Sequence, residues 1–487
     1  MNNSLNKFTD KFGKMPVQVR ASIVFLMCSV LQKSISVITT PIFTRMLTTA
    51  EYGQFSVFIS WMGIIAPIVS LNLYCGVYNQ GLVKFEKDRN KWSSSLQGLT
   101  AVLICIWFTV YFIFRNIINA KLSLTTLQFT MMFILIWLNA IYNFWAAEQR
   151  VDFKYKKIAY ITIIASLIQP IVGIIFVCRF SNKVNGRIFS MVVTQLFLYG
   201  WMFVYQMNRG RRPYSKNYWK YAFGFNLPLI VHYLSMTILS SSDRIMIGKI
   251  CGNDKAGIYN LGYSVASIMT MFNTALVQTV EPWIYRKIKE NKVQDIARIA
   301  YACFGLVAIV NIVLVLCAPE VVAVFAPVDY QDAIWVVPAV ALSNIFMIMY
   351  TFFATFQFYF EKTRYIAVST LGGAVLNIIM NMIFVGRFGY VAAGYTTLFS
   401  YIMFTILHYF FMKKTCNNIL DGQRPYEGRR VFEISTVSIV IGLSCMALYN
   451  APLIRYLIMT ISIIVCFIYR KKILYMIMMI LNTKREK

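Results

Sequence analysis

Acidic residues are scarce: 19 Asp and Glu stand against 47 Lys and Arg, with only two histidines, in a chain of 487 residues. With so few candidate ligands, a metal centre built on His and carboxylate clusters is not called for, and His232 and His408 have no neighbouring motif. The ten cysteines include no CxxC pair, and most lie within apolar runs where a thiol behaves as a small hydrophobe. Neither a disulfide framework nor a zinc site is supported. The chain contains no GxxxxGK[ST] phosphate loop, no HExxH and no GxSxG, which excludes an ATP-driven pump or a hydrolase with its own catalytic parts and predicts a protein that is not an enzyme. Charge of either sign is low, 14% of residues against about a quarter in soluble domains.

What is abundant is apolar surface, 58% of residues, arranged in long runs from Ile23 to Ile480 with no hydrophilic block large enough to fold separately. A helical span needs about 20 such residues. The interruptions divide the chain into about fourteen spans, near 18–44, 52–80, 93–114, 124–147, 158–178, 188–207, 221–248, 256–281, 299–326, 333–360, 365–385, 389–412, 432–450 and 452–469. The apolar segment 473–481 is too short to cross and is expected to lie along the interface. The fold class is thus an all-α polytopic membrane protein. Polar, basic residues 1–20 lead into a first span too long for a cleavable signal segment, so the amino terminus is expected to remain on the protein.

The net charge of +28 raises nucleic acid as a partner, but its distribution argues otherwise. Thirty-five of the 47 basic residues fall in alternate gaps that include both termini, ten fall in the opposite gaps, and Lys33 and Arg244 fall inside spans. That is the bias of cytoplasmic loops, which places both termini in the cytoplasm and predicts an even number of spans in contact with anionic lipid. No nucleic-acid partner is expected.

A faint internal repeat occurs at an offset of 204: Arg45, Gly53, Phe55, Ser60 and Ile64 echo Lys249, Gly257, Tyr259, Ser264 and Ile268. Six spans separate the copies, so both halves enter the bilayer from the same side. A parallel repeat implies two six-helix lobes about a pseudo-axis along the membrane normal with a cavity between them. The divisions expected are 1–208 and 209–413 for the lobes, with 414–487 adding two further spans and a basic tail.

Ionisable groups within spans are expensive and face a cavity or a partner. Lys33 lies 13 residues after Arg20 and 12 before Arg45, about 18–20 Å from either, and is read as a cationic contact for an anionic headgroup or as a packed, paired lysine. Arg45 stands at the first outer loop. Asp243 and Arg244 are adjacent, so their side chains diverge by about 100°; Arg244 is a substrate candidate, and Asp243 a coupling or ion-pair candidate. Asn72, Gln169, Asn226, Asn273, Gln278, Asn344, Asn377 and Asn381 recur within apolar spans and either hydrogen-bond sugar hydroxyls or tie helices together. Pro41, Pro67, Pro170, Pro228 and Pro338 are expected to bend spans. Glu281, followed by Pro282, is either a boundary residue or a coupling carboxylate.

The stretch TTPIFTRMLTTAEYGQFSVF (Thr39–Phe58) resembles the first span and outer loop of Wzx-type O-antigen and capsule repeat-unit flippases of the polysaccharide-biosynthesis transporter family. SSSDRIMIGKICGNDKAGIYNLGYSVASIM (Ser240–Met269) is similar to the matching second-half region. The resemblance implies a MATE-like fold of two six-helix lobes plus two carboxy-terminal helices. It also implies a substrate of undecaprenyl-pyrophosphate-linked oligosaccharide, turned from the inner to the outer leaflet of a bacterial inner membrane for lipopolysaccharide or capsule synthesis. Its partners would be the lipid-linked sugar, the bilayer and other polysaccharide assembly proteins. No cofactor is called for, and the energy would come from an H+ or Na+ gradient, the substrate gradient or a partner. The substrate-binding candidates are Lys33, Arg45, Asn72, Arg244, Asn273 and Asn377. Rival readings are a MATE-type multidrug exporter, which would place carboxylates rather than a lysine in the first lobe; a membrane polymerase or ligase, which would want a large outer loop; and a scaffold.

Overall fold

The computed structural model describes residues 17–468 and 470, which are helical and connected by short loops. Fourteen helices of 17 residues or more follow one another: α1 (Val17–Met46), α2 (Thr49–Ser70), α3 (Arg89–Ile113), α4 (Thr126–Val151), α5 (Tyr155–Arg179), α6 (Lys183–Gly210) and α7 (Lys216–Ile250). The series continues with α8 (Asn253–Lys289), α9 (Ile296–Leu316), α10 (Val337–Tyr359), α11 (Thr363–Phe388), α12 (Ala392–Ile419), α13 (Gly428–Ala447) and α14 (Pro452–Ile468). Each overlaps one expected span. Among the described residues, eleven are long and apolar enough to cross a membrane; α8 is longer but more polar, and α14 is shorter. The segment 473–481 lies outside the described residues.

Local chemistry sets several helix starts. Thr125 and Gln128 form a reciprocal capping box at α4, with Gln128 N donating to Thr125 Oγ1 at 3.2 Å and Thr125 N to Gln128 Oε1 at 3.1 Å. Asn182 caps α6 through Asn185 N at 2.9 Å. Such caps contribute about 0.5–2 kcal/mol each by satisfying otherwise orphaned N–H groups. Pro41, Pro67, Pro170, Pro228 and Pro282 lie inside continuous helices. Pro338 does not bend a span: it stands at the start of α10, where its missing N–H would have had no partner.

Two spans are interrupted where the sequence reads as continuous. The span expected over 52–80 ends at Ser70 and gives way to turns over 71–76 before a short helix, Val77–Lys84. Leu71, Asn72 and Gly76 all have positive φ there. The span expected over 299–326 breaks at Cys317, and Ala318–Phe325 forms its own helix.

The chain divides into two compact units. Unit 1 holds the residues up to Met46 with Phe58–Thr237, and unit 2 holds Leu47–Val57 with Ile238–Lys487. The division thus falls inside α2 and α7 and not at 208/209, in the last turn of α6, and residues beyond 413 join unit 2. In unit 1, α1 packs on α5, and α6 on α3, α4 and α5. Trp92, Tyr78 and Phe144 form one buried aromatic core there, and Trp145, Met202 and Leu138 another. In unit 2, α10 lies centrally against α8, α9, α12 and α13, around Phe304, Phe352, Phe353, Phe404 and Tyr426. Large apolar side chains such as Phe197 on α6, at 80% exposure, and Ile379 on α11 remain uncovered, the pattern of helices whose outer faces meet lipid.

The repeat has a physical counterpart in unit 2. A Cβ placed on Gly53 would stand 1.7 Å from the carbonyl oxygen of Asn253, and one on Gly257 would stand 2.1 Å from that of Thr49. Under the offset of 204, Thr49 corresponds to Asn253 and Gly53 to Gly257. The starts of α2 and α8 therefore cross with each glycine seated on the other copy's first-turn carbonyl. Only a hydrogen fits at either position, which is why small residues mark such crossings in membranes.

Candidate substrate and coupling sites

In unit 1 a cavity of about 260 Å³ opens where α1, α5 and α6 meet. Its polar lining is Gln32 and Thr39 from α1, Ser166 and Gln169 from α5, and Arg187 and Tyr199 from α6. Asn182 starts α6 and so carries Arg187 one turn into the helix, and the guanidinium stacks 3.5 Å from the centre of the Phe43 ring. Gly173 on α5 makes room for it, since a Cβ there would lie 1.9 Å from Arg187 Nη1. Pro170, which also lines the cavity, has no N–H to give the carbonyl of Ser166, four residues earlier. Arginine is weakly hydrated and presents its donors in a plane, so a cation held this way suits phosphate oxygens, while the amides and hydroxyls suit sugar. Lys33 follows Gln32 on α1; its side chain lies outside the described residues.

Also in unit 1, the interruption at 71–76 exposes carbonyls that a helix would have satisfied. Asn226, fully buried on α7, donates to the carbonyls of Leu71 at 2.7 Å and Asn72 at 2.9 Å. The Asn72 side chain accepts from Tyr74 Oη at 2.8 Å. Both asparagines hold the break together, in keeping with the rule that irregular backbone at membrane depth needs internal partners.

In unit 2, Asp243 is fully buried on α7. Its carboxylate accepts from Asn381 Nδ2 at 2.6 Å, Tyr259 Oη at 2.6 Å and Thr397 Oγ1 at 2.7 Å. All three donors are uncharged. Asn377 donates to Thr397 Oγ1 at 3.2 Å and accepts from Ser242 Oγ at 3.0 Å, and Thr396 Oγ1 donates to Asn381 Oδ1. Helices α7, α8, α11 and α12 are thus joined at one carboxylate. Arg244 points elsewhere: Nε reaches Asn260 Oδ1 at 2.7 Å, Nη1 reaches the Ser240 carbonyl at 2.8 Å, and the guanidinium lies 4.0 Å from the centre of the Tyr263 ring. The two neighbours do not pair with each other.

The remaining candidates are dispersed. Arg45 is exposed and donates to the Pro41 carbonyl at 2.9 Å. Asn273 is buried and donates to the Asn344 carbonyl at 2.8 Å, tying α8 to α10. Glu281 accepts from Tyr285 Oη at 3.1 Å. Residues that the sequence shows only as loop charges prove to be structural: Arg455, 3% exposed, pairs with Glu320, and Arg209 pairs with the buried Glu148 at 2.9 Å. Arg187 is likewise hidden among loop charges; the signal for it is Asn182 as a helix cap, with Gly173 opposite.

A model of the polysaccharide biosynthesis protein family matches residues 19–288, more than half of the chain. Lsg locus putative protein 1 of Haemophilus influenzae is 21% identical over 370 residues, 71% of this chain and 86% of that protein. Among solved structures, lipid II flippase MurJ in an inward closed conformation aligns with a TM-score of 0.64 at 14% identity, over 93% of this chain and all of that one. An inward-facing multidrug resistance MATE family transporter of the MOP superfamily aligns with a TM-score of 0.63 at 11% identity, over 80% and 96%. At these identities the structural likeness establishes the fold, and the family match establishes kinship: the chain is a helical membrane protein that belongs to the polysaccharide biosynthesis protein family and has the MATE- and MurJ-like fold.

Proposed function

We propose that this chain is a flippase that carries an undecaprenyl-pyrophosphate-linked oligosaccharide repeat unit from the inner to the outer leaflet of a bacterial inner membrane, with both termini in the cytoplasm. The observation that carries this reading is the unit 1 cavity, in which Arg187 stands among amide and hydroxyl groups and, among the described residues, no Asp or Glu contributes to the lining. A cavity for cationic drugs would need the opposite sign. An anionic pyrophosphate with a sugar attached matches both the charge and the hydrogen-bonding groups. One of the solved proteins that share this fold is a lipid II flippase, which favours a lipid-linked cargo here.

The Asp243 cluster supplies the coupling site in this reading. A buried carboxylate surrounded by hydroxyls and amides, with no cation paired to it among the described residues, is suited to take up H+ or to share Na+ with the neighbouring oxygens of Asn377, Asn381 and Thr397. A polymerase is disfavoured because the loops on the lysine-poor side are short; the longest described one, between α9 and α10, is itself mostly helical.

Depleting the chain and locating the lipid-linked sugar by enzymatic accessibility tests the direction. The expected outcome is intact carrier trapped on the cytoplasmic leaflet. Carrier that is unpolymerised but already on the outer face would overturn the reading in favour of polymerisation.

A further inference from the structure

A second cavity, also about 260 Å³, lies in unit 2 at the junction of α12 and α13. Lys413, Arg424 and Arg429 line it, with Tyr426, Glu427 and Gly428. Arg429 pairs with Glu433 at 2.9 Å, and Glu427 is neutralised by Arg430 at 2.9 Å. Lys413 and Arg424 have no acidic partner among the described residues, so the cavity carries net positive charge. Gly428 begins a 20-residue helix whose N-cap, Glu427, makes no side-chain cap, and the first-turn N–H groups of such a helix form an anion site. Tyr426 is 2% exposed, and its hydroxyl has no hydrogen-bond partner among the described residues.

We propose that this cavity binds the phosphodiester headgroup of an anionic phospholipid. The shared chemistry, a phosphate oxyanion on two cations and a helix N-terminus, would also suit soluble phosphate. The surroundings select the lipid: Phe432, 70% exposed and one turn into α13, and Phe410, exposed on α12 beside the cavity-lining Tyr409, offer apolar faces along which acyl chains can lie. The loop also belongs to the lysine-rich side of the chain, where anionic lipid concentrates and basic pockets between helices hold its headgroups. The site is separate from both clusters assigned to transport.

The test measures phospholipid retained by the purified full chain, by native mass spectrometry, after exchange into phosphatidylcholine with added phosphatidylglycerol. Wild type is expected to retain phosphatidylglycerol preferentially. K413Q/R424Q is expected to bind it about ten- to thirty-fold more weakly, since each cation near a headgroup matters by roughly a factor of five, whereas K413R/R424K retains it. The double variant's melting temperature in phosphatidylcholine alone, and the charge-preserving variant, separate loss of binding from loss of fold. Equal retention by K413Q/R424Q overturns the proposal. Full displacement of the lipid by inorganic phosphate overturns the lipid assignment and makes the ligand a soluble phosphate.

Discussion

Alanine at Gly53 or at Gly257 is expected to lower the amount of folded protein sharply, and valine at either is expected to abolish it. The atoms in the way are main-chain carbonyls, Asn253 O at 1.7 Å and Thr49 O at 2.1 Å from the ideal Cβ positions. They cannot rotate aside as a side-chain tip would. The crossing of α2 and α8 must open, and overpacking of this kind costs about 1–3 kcal/mol per site, or more against backbone. The two sites share one contact, so the double substitution should be less than additive. Gly224 and Gly305, where a Cβ would meet nothing within 4 Å, serve as helical controls, and alanine there is expected to be neutral or stabilising by about 0.5–1 kcal/mol. Thermal melting of the purified protein in detergent reads the effect. A wild-type melting temperature for Gly53→Ala would show that the crossing is not as close as described.

Asp243→Ala is expected to remove transport and also to loosen unit 2. The alanine leaves the donors on Tyr259, Asn381 and Thr397 without their acceptor, at about 1–3 kcal/mol for each buried group left unsatisfied. Asp243→Asn separates coupling from folding. It keeps the volume and one acceptor oxygen, so folded protein should persist, while an amide does not ionise and brings no negative charge to take up H+ or hold Na+. In proteoliposomes, the wild type should respond to an imposed H+ or Na+ gradient and Asp243→Asn should not. A gradient response preserved in Asp243→Asn would assign the carboxylate to packing alone.

Much of this architecture is legible in the chain because the bilayer imposes a single length scale. A helix overlaps every expected span, eleven of them long and apolar enough to cross, and the faint repeat marks a close crossing, since Gly53 and Gly257 are fixed by sterics at the same place in each copy. Adjacent Asp243 and Arg244 diverge as helical geometry requires, toward α11 and α12 in one case and toward Asn260 and Tyr263 of α8 in the other. The interruption at 71–76 is not legible. LNLYCG over 71–76 continues an apolar run, and what permits the break is Asn226, over 150 residues away in sequence. The break at Cys317 does have a local signal, Pro319, which stands two residues on in the first turn of the next helix. The cation of the unit 1 cavity is obscured for a related reason: a basic residue close to a helix start reads as loop until its cap is recognised, and its stacking on Phe43 depends on a contact that no local pattern encodes.

The most direct test of the central claim is reconstitution with both classes of cargo. Purified wild-type protein in proteoliposomes is given a fluorescent pyrophosphate-linked polyprenyl sugar and, separately, a lipophilic cationic dye, and leaflet exchange is followed for each. The account predicts that the anionic carrier changes leaflet and the cation is not moved, with Arg187→Gln slowing carrier exchange about tenfold or more, as expected when a charge-assisted contact of about 1.5–3 kcal/mol is lost. Movement of the dye with no exchange of the carrier would contradict it.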